Sequence, residues 1–239
     1  MGVPAAVLFD FDGVIVDSER LHHETMAEAM AGAGPATPWE FYREKLMGLD
    51  DRGAFAVLLK RAGLSPTPGE IRRRIERKAA LFAQHAATGR VPAFPGAVEL
   101  IRACAAAGPV GLCSGALRSD IDPVLAALGI ADCFAVRVTA DDVHQSKPDP
   151  ASYRLCVAGL AAKFPKRGIV PASCVAIEDT PDGIASARGA GIPVLAVATN
   201  LPASALRAAG AAAVVDSLRG LVPEQLAARA ELSDGANRG

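Results

Sequence analysis

Apolar and polar positions along the chain follow two different periods. The first apolar run, over residues 5–11, is short and stops at Asp12-Gly13, as a buried strand does when it ends in a turn. From about Ser18 to His85 helical periods dominate, over 19–33, 39–47, 52–62 and 69–87. They are broken at Gly34-Pro35, Gly48 and Ser65-Pro66-Thr67-Pro68. After Phe94-Pro95-Gly96 helix and strand alternate. Helices over 97–107, 119–128, 151–163 and 183–190 lead into strands over 110–113, 135–139, 174–177 and 194–197, and a last short strand covers 213–215. The tail 233–239 reads as frayed. Repeated αβ units imply an α/β fold with a doubly wound parallel sheet covered by helices. The helical block after the first strand is then an inserted α-helical cap, with core domain 1–16 and 94–239 and cap domain 17–93.

Composition narrows the function classes. The chain has 239 residues, 51% of them hydrophobic, enough for a core and well outside the disorder range. The 25 Lys and Arg nearly balance the 26 Asp and Glu, so neither a nucleic-acid nor an anionic-membrane partner is expected. Cys104, Cys113, Cys133, Cys156 and Cys174 form no CxxC pair, which disfavours a zinc site or a disulfide framework and suits reduced thiols. No apolar run has signal or membrane-span length. A cytoplasmic protein acting as a monomer on a small molecule is the expectation.

In open parallel sheets ligands bind beyond the carboxyl ends of the strands. The first strand presents Asp10, Asp12 and Gly13 there. The second presents Ser114-Gly115, with a helix directly after. Ser146-Lys147-Pro148 follows the third, and Glu178-Asp179 ends the fourth. Asp10 and Asp12 share a strand face, where like charges repel unless a cation neutralises them. Mg²⁺ takes such oxygen ligands, with Asp179 completing the set and Glu178 either bound to the ion or just behind it. A carboxylate attacking phosphorus makes an acyl phosphate. Lys147 would hold the developing charge, and Ser114 with the N–H groups of Gly115 and Ala116 would cradle phosphate oxygens at a helix start. Each feature alone has a plainer explanation: a turn-capping acid pair, a helix N-cap, a solvated loop lysine. Their joint arrival at successive strand ends makes coincidence the weaker reading.

With those residues in hand, the sequence resembles the haloacid dehalogenase superfamily of phosphotransferases. Asp10 to Glu19 (DFDGVIVDSE) is similar to the first motif, and Ser114, Lys147-Pro148 and Glu178-Asp179 to the second, third and fourth. The likeness spans about Val7 to Val215. The helical cap is similar to the β-phosphoglucomutase-like and phosphoglycolate phosphatase-like branch. The resemblance implies Asp10 as nucleophile, Asp12 as general acid/base, and Ser114 with Lys147 as phosphoryl binders. It also implies Mg²⁺ held by Asp10, the Asp12 carbonyl and Asp179. His22, Arg118 and Arg52, the last in a specificity loop with Gly48 and Asp51, become candidates for substrate contact.

Asp12 argues against dehalogenase chemistry, which needs no acid for a leaving oxygen. Where many relatives read KPxPD, Pro150 is followed here by Ala151, so a helix-capping carboxylate is expected to be missing. The implied activity is Mg²⁺-dependent phosphomonoester hydrolysis of a small phosphorylated metabolite. A β-phosphoglucomutase-like isomerase is the alternative, with Arg118, Arg52 and Lys78 as the available cations for a second phosphate. A receiver-type phospho-acceptor module is about half this length.

Overall fold

The computed structural model describes residues 2–47 and 49–234. The chain divides into two compact units. In the first, six strands form one parallel sheet: β1 (Ala6–Phe9), β2 (Val110–Cys113), β3 (Val136–Val138), β4 (Cys174–Glu178), β5 (Val194–Val197) and β6 (Ala213–Val215), in the order β3-β2-β1-β4-β5-β6. β1 therefore lies at the switch, with β2 on one side and β4 on the other. Strands buried on both faces tolerate unbroken apolar runs, and β1, β2, β4 and β5 are buried at every position. One layer of the core is Leu8, Tyr153, Cys156, Leu160, Ala176, Ile184 and Val194, where α7 (Ala151–Lys163) and α8 (Pro181–Gly189) meet the sheet.

The second unit comprises Ser18–Pro92 and Ser119–Ala127. Its helices are α1 (Glu19–Ala29), α2 (Trp39–Lys45), α3 (Asp51–Arg61), α4 (Pro68–Ala87) and most of α6 (Arg118–Ala127). Met26, Tyr42, Leu46, Phe55, Leu58 and Leu59 form its own apolar core. The segment 119–127 follows β2 in the chain yet packs with these helices, and one reason is polar. Lys78 of α4 is almost wholly buried, with its ammonium 3.0 Å from Asp51 and 2.6 Å from Asp120. Within the first unit the two ends of the insert are fixed together, Val16 bridging Ala93 and the Phe94 N–H donating to Ile15 O at 2.9 Å.

Element limits differ from the sequence expectation where end chemistry decides. α1 stops at Ala29, short of Gly32, which takes a positive φ. α4 and α8 begin at Pro68 and Pro181, one and two residues early, because proline suits the first helical position and Thr67 and Thr180 cap them. α9 (Ala203–Ala208) and α10 (Pro223–Asp234), both following a proline or starting on one, have no counterpart in the sequence reading. A capping carboxylate at the start of α7 is present after all: Asp149 Oδ1 accepts from Ala151 N–H at 2.9 Å. The helix lacks an acid in its first turn, and the residue two before supplies it. α5 (Ala97–Ala107) precedes β2 as expected.

Candidate active site

Parallel register sets the site. Phe9 lies opposite Leu112 on one side and Ile177 on the other, so Asp10, one residue on, is level with Cys113 and Glu178. The Asp10 N–H donates to Ile177 O at 3.0 Å, which carries the strand pairing one residue beyond β1, to Asp10 itself. Its carboxylate is buried beneath the strand ends, and the Lys147 ammonium sits 2.8 Å from Oδ1. Burial disfavours the charged form, and only Lys147 opposes it, while Glu178 and Asp12 add repulsion. The Asp10 carboxyl is pushed up to about 7. Lys147 shows the complementary balance. Burial would lower it, but Asp10 and Glu178 together outweigh that and hold the ammonium above the usual lysine range. Lys147 gains from two acids, whereas Asp10 gains from one lysine.

Glu178 is fully buried and saturated with donors. Its Oε1 accepts from Lys147 Nζ at 2.6 Å and from the Tyr153 hydroxyl at 2.8 Å. Its Oε2 accepts from the Asp179 N–H at 3.1 Å and the Thr180 hydroxyl at 3.4 Å. A Cβ on Gly183, in the first turn of α8, would fall 2.0 Å from Oε2, so only glycine admits the carboxylate against this helix start.

Asp179 has a different environment. Its Oδ2 takes one bond, from Asn200 Nδ2 at 3.2 Å, while its buried Oδ1 has no hydrogen-bond partner. Burial, then repulsion from Asp10 and Glu178, pushes this carboxyl far above the ordinary aspartate range. Single oxygens from Asp10, Glu178 and Asp179 lie within 4.8 Å of one another. A divalent cation with oxygen preference fits among these acids, since three buried carboxyls face one ammonium and one oxygen, Asp179 Oδ1, is unsatisfied. Gly13 holds a φ of +77°, and a Cβ there would meet Asp179 Oδ2 at 1.9 Å, so glycine is required for this approach.

The Asp12 side chain is half-buried, and its backbone forms a bridge with Val16. Ser114 is buried one residue beyond β2, its hydroxyl accepting from Ala116 N–H at 2.9 Å, with exposed Gly115 between them. Asp10, Lys147, Glu178 and Asp179 are thus joined by direct contacts, with Asp12 and Ser114 at the same strand ends. Arg118 instead makes an ion pair with Asp142 at 2.7 Å, its N–H donating to Asp141. His22 and Arg52 belong to the other unit. His22 is buried and stacked on Phe82, at 4.7 Å between centroids, and Arg52 is exposed on α3. Gly48 lies outside the described residues.

Three contributors escaped the sequence reading. Asn200 and Thr199 follow the end of β5, and the Thr199 hydroxyl donates to Gly13 O at 2.6 Å. Their signal is position: they stand beyond the carboxyl end of β5 as Asp10 and Ser114 stand beyond β1 and β2. Tyr153 carries no such signal, since a helical tyrosine among apolar residues reads as core.

Comparison with known proteins adds an independent line. Residues 4–191 match the family model of haloacid dehalogenase-like hydrolases. The chain is similar to protein CbbY of Rhodobacter capsulatus, 31% identical over 80% of this chain and 83% of that one. It is similar to the phosphorylated carbohydrates phosphatase of Thermotoga maritima, 27% identical over 88% and 93%. Among solved structures, CbbY from Rhodobacter sphaeroides in complex with phosphate superposes with a TM-score of 0.79 at 27% identity, covering 91% of this chain and 96% of that one.

Proposed function

The chain belongs to the haloacid dehalogenase-like hydrolases, and from that premise we propose that it is a Mg²⁺-dependent phosphatase that hydrolyses a small phosphorylated metabolite, such as a sugar phosphate, through an aspartyl-phosphate on Asp10. The observation that carries the reading is the pairing of a buried strand-end carboxylate with Lys147 at 2.8 Å, beside an Asp179 oxygen with no partner. The relatives named for phosphatase activity and the phosphate complex of CbbY support it.

The Asp10 oxygen turned away from Lys147 attacks phosphorus, and the bond to the leaving oxygen breaks. Asp12 gives its proton to that oxygen, so an alcohol departs and Asp12 is left as carboxylate. Asp12 then takes a proton from water, whose oxygen attacks the same phosphorus and releases inorganic phosphate and free Asp10. Ser114 and the N–H groups after it hold phosphoryl oxygens, and Lys147 balances charge on the transferring group. Asp10, the Asp12 carbonyl and Asp179, with Glu178 adjoining, would hold Mg²⁺. When bound it supplies Lewis-acid polarisation of the phosphoryl oxygens and neutralises the acids around them. The enzyme is read as a cytoplasmic monomer; no helix among the described residues is long and apolar enough to cross a membrane.

Hydrolysis is favoured over isomerisation of a sugar phosphate. An isomerase must grip two phosphates at once, and two of the three cations available for a second phosphate are engaged: Lys78 by Asp51 and Asp120, Arg118 by Asp142. A panel of phosphorylated metabolites, assayed for released phosphate, tests the reading. Release from at least one compound with Mg²⁺ and none in excess EDTA is expected. Turnover unchanged by EDTA, or glucose 6-phosphate formed from β-glucose 1-phosphate faster than inorganic phosphate, contradicts it.

A further inference from the structure

Glu178 and Asp179 are adjacent acids at the end of one strand, yet their oxygens are used in opposite ways. Asp179 keeps one buried oxygen, Oδ1, with no hydrogen-bond partner. Glu178 keeps none: four donors from four residues occupy both oxygens, and the α-carbon of Gly183 closes the remaining side. A metal ligand must offer a lone pair to the ion. Freeing one of Glu178's would strand a buried ammonium, a buried phenol or a backbone N–H, or else displace the Thr180 hydroxyl at 3.4 Å from Oε2, the oxygen against which Gly183 packs. Two of these donors are independently fixed. Tyr153 is wholly buried in α7, and the Asp179 N–H belongs to the strand end itself.

We propose that Glu178 is a positioning residue: anchored by the Tyr153 hydroxyl, its carboxylate holds the Lys147 ammonium in place beside Asp10 and does not bind the metal. This rests on the phosphatase reading above. At 2.6 Å from Glu178 and 2.8 Å from Asp10, Lys147 is shared between a structural acid and the nucleophile. The ring of Tyr153 also lies 5.3 Å from the ammonium, so one side chain supports the lysine through its face and, by way of Glu178, through its hydroxyl. Without the structural acid, the ammonium would rest on Asp10 alone and tie up the nucleophile.

The test separates ion binding from turnover. Mg²⁺ affinity is measured by calorimetry, and phosphatase kinetics are measured at increasing Mg²⁺, for the wild type, Glu178→Gln, Tyr153→Phe and Asp179→Asn. A partner that orients a catalytic group typically accounts for about 10–100-fold in activity. Glu178→Gln should therefore lose about tenfold or more in kcat/KM, with no recovery at saturating Mg²⁺, while binding Mg²⁺ within about threefold of wild type. Tyr153→Phe should move the same way by less, and Asp179→Asn should lose Mg²⁺ affinity outright. A fall in Mg²⁺ affinity for Glu178→Gln as large as that for Asp179→Asn, or recovery of its rate by added Mg²⁺, overturns the proposal. Should Glu178→Gln not fold, wild-type kinetics in Tyr153→Phe overturn it equally. A wild type that binds Mg²⁺ but releases no phosphate instead refutes the phosphatase reading, and the calorimetric contrast still shows whether Glu178 is a ligand.

Discussion

Two aspartates two residues apart at one strand end have different surroundings, and the proposed division of work between them follows from that difference. Asp10 is buried, paired with Lys147 and level with β4, which suits an in-line nucleophile. Asp12 lies past the strand, half-buried, where a carboxyl can exchange its proton with a leaving group and then with water. Asp12→Ala should lose about 10²–10⁴-fold on alkyl phosphates, the usual contribution of an acid/base group. The loss should be much smaller on p-nitrophenyl phosphate, whose leaving group departs without a proton. Equal losses on both substrates, in steady-state assays, would remove Asp12 from that role. Both aspartates are readable in the sequence because strand ends are, and because a pair of acids there needs a reason. Tyr153 is not readable, since its hydroxyl matters only through a glutamate twenty-five residues away in the chain.

Elements fold here by rules that single residues make visible only in part. The apolar runs of β1, β2, β4 and β5 mark the sheet at once, and threonine caps before Pro68 and Pro181 sharpen two helix starts. α9 and α10 were not legible, because alanine-rich stretches such as Ala203–Ala208 show little contrast between faces and so little period. Nor does any local pattern say that 119–127 packs with the inserted helices. That pairing is non-local, and Lys78 records it: a buried ammonium requires carboxylates, and it finds Asp51 and Asp120 on two other helices. Burial would lower Lys78, but these two acids outweigh it and raise its pKa, whereas for Asp120 burial prevails over the lysine and the carboxyl is raised. Removing the lysine leaves buried Asp120 facing the partly buried Asp51 with no cation between them. Lys78→Met should destabilise the fold by about 3–5 kcal/mol, the range for breaking a buried pair. The midpoint of urea unfolding should fall with no change in slope. An unchanged midpoint would mean that the pair contributes nothing net.

At the scale of the molecule, a doubly wound sheet brings its chemistry to one edge because every parallel strand ends there. The neighbours of β1 then decide which groups meet Asp10. The helical insert leaves and rejoins the chain at one place, between Val16 and Ala93, so that edge keeps its register despite some seventy-five residues of separate structure. Family membership was legible from four short motifs for the same reason: they are the strand ends. The substrate was not, since His22 and Arg52 lie in the helical unit, where spacing alone fixes no contact. The central claim is covalent transfer to Asp10, and it is tested most directly by trapping. Enzyme mixed with Mg²⁺ and a turned-over substrate is quenched during turnover and reduced with borohydride, which converts an aspartyl-phosphate to homoserine. Peptide mass spectrometry then locates the change. Homoserine at position 10 in the wild type, absent without substrate and absent in Asp10→Asn, is the predicted result. Full turnover with an unmodified position 10, or phosphate release by Asp10→Asn at the wild-type rate, would contradict the account.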